Sequence, residues 1–195
     1  MARTGQTVAG PFTRVTFVET AADTRGERLV MEQLIRPGGS ITPAHRHPEQ
    51  TERFEVLGGA MAFTLEGRTR VLGPGERADV PRGAAHTFAN AGGGDLAVRI
   101  TLEPAGRSEA FFETVVVLER SGLLPGKRVT VPQLLQMALL LRHYDLQLAG
   151  VPGWVQRPLF GLLSRVARLA GFRASHSDDP PDPPTGPAPL APRRR

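Results

Sequence analysis

Over residues 12–102 the chain alternates apolar and polar residues in short runs, and glycine or proline turns punctuate them. A strand turns successive side chains to opposite faces, so this alternation marks half-buried sheet. PFTRVTFVET and RLVMEQLI read as strands, the second ending at Pro37-Gly38-Gly39. RFEVLGGAMAFTLEG reads as two strands broken at Gly58-Gly59. TRVLGPGERADVPRG carries turns at Gly73-Pro74-Gly75 and Pro81-Arg82-Gly83. HTFAN leads into Gly92-Gly93-Gly94, read as a hairpin loop because it lacks the strand-loop-helix context of a phosphate cradle, and LAVRITLEP follows. Repeated short strands of this kind predict a β-sandwich or barrel. The 22 glycines and 18 prolines fit that class better than a helical bundle.

The pattern changes near residue 105. SEAFFETVVVLERSG reads as a helix from Ser108 with Gly122 just past its end, although the run Val115-Val116-Val117 favours strand. Residues 131–148 read as a second helix, with Pro132 in its first turn and Gly150 beyond its end. Being apolar nearly all round, that helix should be buried on more than one side. A third helix is expected over 155–170, with Val155, Leu159, Leu162, Leu163, Val166, Leu169 and Ala170 on one stripe. Arg157, Ser164, Arg165 and Arg168 fall on its other side. The stripe is expected to pack against the barrel or a dimer mate; its second reading is contact with an anionic membrane surface, with Trp154 and the arginines at the interface. The proline-rich end suits a disordered tail. The expected organisation is a β-barrel over 12–104, a helical extension over 105–175 and a tail over 176–195.

Chemistry concentrates in two stretches. GSITPAHRHPEQTERFEVLGG supplies His45, His47 and Glu52, and GERADVPRGAAHTFAN supplies His86. Residues two apart on a strand share a face, so His45 and His47 can both point inward while Arg46 points out. Glu52 opens the next strand and leans into the same space. His86 must arrive from another strand, aimed by Pro81-Arg82-Gly83. Imidazole and carboxylate suit iron, manganese, nickel, zinc or copper. The absence of cysteine excludes thiolate ligands. Four ligands on an octahedral ion leave two positions open to substrate, as a catalytic site requires. Glu49 is a rival carboxylate, expected to stay solvated in the loop.

These stretches resemble the two motifs of the cupin superfamily. Gly39, His45, His47, Glu52 and Gly59 match the first, and Gly75, Pro81, Gly83, His86 and Asn90 match the second, as in small bacterial single-domain members. The resemblance implies a mainly β chain, a cupin jelly-roll barrel here followed by the helical extension and tail. It implies one divalent metal per chain held by His45, His47, Glu52 and His86, without distinguishing Fe, Mn, Ni or Zn. It also implies a tendency to form homodimers. Family members include dioxygenases, oxalate-degrading enzymes, isomerases, cyclases, storage proteins and sensory domains, so the site fixes the metal and not the reaction.

The expected function is that of a metal-dependent, dioxygenase-like oxidoreductase on a small aromatic or diketone substrate. A non-redox cyclase or isomerase and a non-catalytic sensing module are the alternatives. Glu52 is the candidate catalytic residue, a ligand carboxylate able to carry a proton. Phe54, Met61, Phe63 and Phe88 are candidate pocket walls, and such a lining suits an apolar ligand. Alternation puts Arg53 and Arg99 outside, which weakens an oxalate-like reading. Asn90 is expected to form a turn or bind backbone, and His143 to be packed or solvated rather than catalytic. The net charge of +5 comes without a basic stripe interleaved with aromatics, so nucleic acid is not an expected partner. The N-terminus has no apolar run of signal-peptide length, and the expected location is cytoplasmic.

Overall fold

The computed structural model describes residues 2–39, 43–124 and 129–175. The expected tail, 176–195, lies outside the described residues. Six strands make the first sheet: β1 (Thr7–Ala9), β2 (Thr13–Glu19), β3 (Leu29–Ile35), β5 (Thr51–Gly58), β8 (Arg77–Val80) and β10 (Leu96–Glu103). Their order is β1-β2-β3-β10-β5-β8. Five make the second: β4 (His45–Arg46), β6 (Met61–Leu65), β7 (Arg68–Leu72), β9 (His86–Asn90) and β11 (Gln147–Leu148), in the order β11-β4-β9-β6-β7. Every pairing is antiparallel. Among the described residues there are three helices, α1 (Ser108–Arg120), α2 (Val131–His143) and α3 (Gly153–Leu169).

Alternation along the strands builds the core. Leu29, Met31, Gln33 and Ile35 of β3 are buried, as are Leu96, Val98, Ile100 and Leu102 of β10. Phe17, Phe54, Met61 and Phe63 complete this core from the neighbouring strands. Each fully buried apolar side chain contributes roughly 1.5–3 kcal/mol relative to its exposed state. The turn at Gly59 is sterically specific: its φ is +82°, and an added Cβ would lie 2.5 Å from the Asp95 carbonyl oxygen.

Residues 92–94 do not close a hairpin, contrary to the expectation from sequence. They carry the chain from β9 in one sheet to β10 in the other. Asn90 holds this crossing: its Nδ2 donates to the carbonyls of Ile35 and Gly94, both at 2.8 Å, and its Oδ1 accepts from the Gly92 amide at 2.8 Å.

Helix wins over strand at α1 because its polar side chains hold it to the sheet margin. Glu109 accepts from the Ala21 amide at 2.5 Å, and Glu119 accepts from the Thr13 amide and hydroxyl at 3.2 and 3.1 Å. Helix α2 starts with a capping box, in which Thr130 and Gln133 exchange side-chain and backbone bonds. It ends at His143 rather than running to 148, because Asp145 takes a left-handed turn (φ +52°) that sends the chain into β11. Gln147 then pairs with Arg46, and Leu148 with His45. The helical extension therefore returns a strand to the barrel.

Helix α3 is rotated relative to the expected packing stripe. Gln156, Phe160, Ser164 and Ala167 are buried, whereas Leu159, Leu162, Val166 and Leu169 are exposed. The Gln156 amide sets this rotation. Its Oε1 accepts from the Leu148 amide at 3.0 Å, and its Nε2 donates to the carbonyls of Leu148 and Val151 at 2.8 and 2.5 Å. Phe160 then joins Ala138 and Leu141 of α2 in a small second core, against which Leu163 of the expected stripe also packs.

Candidate metal centre

The four sequence-predicted ligands meet because of strand register. His45 on β4 stands directly opposite His86 on β9. Glu52 reaches them from β5 in the facing sheet, and His47 follows β4 by one residue. All four side chains are buried, and one donor atom from each lies within 4.8 Å of every other. His45 Nε2 and His47 Nε2 are 3.1 Å apart, His47 Nε2 and Glu52 Oε2 3.4 Å, and His86 Nε2 and Glu52 Oε2 2.8 Å. Glu49, the rival carboxylate, is exposed and outside this cluster.

The donor set fits a cation. His45 Nδ1 lies 2.9 Å from the Pro43 carbonyl and His86 Nδ1 3.2 Å from the Ala84 carbonyl. Donation from Nδ1–H to these oxygens leaves the Nε2 lone pairs facing the centre, the tautomer of a metal-ligating histidine. Glu52 Oε2 and His86 Nε2, though close, make no well-directed hydrogen bond and are buried without partners. Buried polar atoms in that condition cost free energy unless something between them is bound. A divalent ion shared by three nitrogens and one oxygen would satisfy them all.

Electrostatics favours the ligand forms of His45 and Glu52, whereas at His86 a cation would have to displace a proton. Burial pushes the His45 imidazole down to about 4, helped by the neighbouring His86 and His47. Burial alone would raise Glu52, but its contacts with His47 and His86 outweigh that and hold its carboxyl well below the usual range. Burial likewise opposes charge on His86, yet the Glu52 contact dominates and raises it. Glu52 is thus ionised at neutral pH, which suits a ligand.

The cluster opens into a cavity of about 290 Å³. His45, His47, Glu52, Gln33 and Phe88 border it from the barrel. Phe111, Phe112 and Val115 of α1 and Met137, Leu140 and Leu141 of α2 form a roof. Of the four aromatic and methionine residues proposed from sequence, Phe88 borders this cavity. Phe54, Met61 and Phe63 are instead enclosed in the core between the sheets, with Phe54 backing Phe88 at 4.9 Å between ring centroids. Alternation identifies inward residues but does not separate those that fill the core from those that border an opening.

Sequence reasoning missed the roof and Gln33. The roof comes from helices that follow β10, for which no local pattern gives a partner. Gln33 did leave a signal, as the one polar residue in the inward row Leu29, Met31, Gln33, Ile35. It is 8% exposed, and its Oε1 has no hydrogen-bond partner. Arg53 pairs with Asp79 at 2.5 Å and Arg99 with Glu32 at 2.7 Å, while Arg36 donates to the Pro11 carbonyl. None of these arginines borders the cavity. His143 borders a neighbouring hollow of about 310 Å³ shared with Tyr144 and Gln50, which His47 also borders while His45, Glu52 and His86 do not.

Residues 31–102 match the family model described as a Cupin domain. Similar solved structures include KdgF from Halomonas sp., 20% identical, covering 51% of this chain and 84% of that one, with a TM-score of 0.45. An RmlC-like cupin from Shewanella frigidimarina NCIMB 400 is 16% identical, with coverages of 54% and 88% and a TM-score of 0.47. The polyketide cyclase RemF from Streptomyces resistomycificus is 28% identical, with coverages of 52% and 70% and a TM-score of 0.42. No curated protein matches the sequence.

Proposed function

Since this chain belongs to the cupin superfamily, with a cupin domain over residues 31–102, we propose that it is a metal-dependent enzyme, a dioxygenase-like oxidoreductase acting on a small, apolar aromatic or diketone substrate. One observation carries this reading: a buried three-histidine, one-carboxylate cluster opens directly into an apolar cavity. His45, His47, Glu52 and His86 would hold the ion. When bound, a redox-active divalent metal supplies Lewis acidity and a place for dioxygen beside the substrate.

The chain's own residues do the rest. The roof of Phe111, Phe112, Val115 and Leu140 excludes water and receives an apolar body. No arginine or lysine borders the cavity among the described residues, so beyond the ion itself an anionic substrate would find no side-chain cation there. Gln33 Oε1, buried and unpartnered, accepts a hydrogen bond from a substrate hydroxyl or N–H and so orients it. Glu52, kept ionised by its imidazole neighbours, serves the site as a ligand, and the same contacts make it a weak base for a substrate proton.

The test is oxygen consumption by anaerobically iron-loaded protein across a panel of phenols and β-diketones. Uptake that disappears in His86→Ala supports the reading. Turnover without oxygen uptake, or with zinc alone, assigns the site to non-redox cyclisation or isomerisation. Unchanged metal content in His45→Ala and His86→Ala would end the metal-enzyme reading altogether.

A further inference from the structure

At 100° per residue, α3 divides into three sectors. Gln156, Phe160, Ser164 and Ala167 are buried, and Phe160 packs with Ala138 and Leu141 of α2. Arg157, Arg165 and Arg168 share a second sector. The third is apolar and faces solvent: Leu159, Leu162, Val166 and Leu169 are 46%, 61%, 45% and 90% exposed. Trp154, at the start of the helix, is 80% exposed, and Val151 just before it is 40% exposed. Isolated surface leucines need no explanation, but a continuous apolar stripe along one helix does.

Charge narrows what covers it. No aspartate or glutamate occurs from Leu146 through Ser175, whereas Arg157, Arg165, Arg168 and Arg173 do. Pairing of α3 with α3 in a second copy would bring like-charged arginine rows together with no carboxylate on either helix to offset them. An anionic lipid surface accepts both features at once: acyl chains take the leucines and valine, headgroups take the arginines, and the indole sits at the boundary. The helix is about 26 Å long at 1.5 Å per residue, and no described helix is long and apolar enough to cross a membrane. Contact with a bilayer would therefore be along its surface and not across it.

We propose that α3 is a docking surface for anionic lipid bilayers. Because α3 packs on α2, and α2 roofs the cavity, docking holds that roof beside the bilayer. Exposure and charge on α3 carry this inference independently of the reaction proposed above.

Trp154 is the one tryptophan of the chain and reports directly on docking. The full chain is mixed with phosphatidylcholine vesicles that contain or lack phosphatidylglycerol, and Trp154 emission and co-sedimentation are read. Expected are a blue shift and sedimentation with the anionic vesicles, reversed by raising salt. The Leu162→Ser/Leu169→Ser pair should weaken binding by about tenfold or more, and Arg157→Gln/Arg165→Gln/Arg168→Gln should remove the preference for anionic lipid. Both sets alter exposed positions, and unchanged far-UV circular dichroism confirms their folding. Salt reversal in the unaltered chain tests the same point if a variant fails to fold. Absence of binding, or equal binding to neutral vesicles, overturns the proposal. So does a lipid-free, concentration-dependent blue shift with doubled mass by light scattering, which would assign the face to a second copy.

Discussion

Gln33→Met offers a sharp test of the cavity's design. Gln33 faces inward between Val15 on β2 and Val98 on β10, in a row otherwise filled by leucine, methionine and isoleucine. Its Oε1 is buried without a partner. A buried, unsatisfied amide oxygen costs about 1–3 kcal/mol, and methionine has similar length and flexibility without the polar group. The substitution should therefore stabilise the metal-free protein by about 1–2 kcal/mol. For a chain of this size that corresponds to a rise in Tm of roughly 2–8 °C. Thermal melts and urea midpoints of EDTA-treated protein read the change, with an unchanged m-value required so that both transitions report the same unfolding. The same variant should lose turnover of substrates that present a hydroxyl or N–H. Equal or lower stability would refute the reasoning, because it would mean that this oxygen is already satisfied within the cavity.

Adding zinc or iron(II) to the EDTA-treated protein should raise its Tm, and His45→Ala or His86→Ala should abolish the rise; thermal melts with elemental analysis decide this. Metal-free stability should form a dome with pH. His45 has a folded pKa of about 4 against 6.5 in the unfolded chain, so the unfolded state binds the extra proton between those values and stability climbs as pH rises from 4 to 6.5. His86 is shifted upward, so its contribution is complete below 6.5 and fades as pH rises through its folded value; urea midpoints that change in one direction from pH 4.5 to 8 would contradict the pair. Gly59→Ala should destabilise by about 1–3 kcal/mol, because the new methyl meets the Asp95 carbonyl at 2.5 Å and φ is +82°. A urea midpoint equal to that of the unaltered chain would count against that turn geometry.

Much of the centre was legible in the sequence because its determinants are local. His45, His47 and Glu52 fall within eight residues, and Pro81-Arg82-Gly83 shortly precedes His86. Strand alternation placed Glu52, Phe54 and Val56 inward, as the burial of β5 shows. What escaped was set by tertiary contact. The end of α2 depends on a left-handed Asp145 and on pairing between Leu148 and His45 across a hundred residues. The rotation of α3 depends on one buried amide, that of Gln156, whose partners are backbone atoms. A hydropathy stripe ranks Leu162 and Leu169 as core and Ser164 as surface, and the structure reverses both assignments.

The two-residue pairing of β11 with β4 has one more consequence. The segment that closes the helical roof also flanks the strand bearing His45. The roof is consequently not a cassette that can be exchanged between barrels of this type. A chimera carrying foreign helices would give His45 a new neighbour, so ion retention and pocket shape would change together in any redesign.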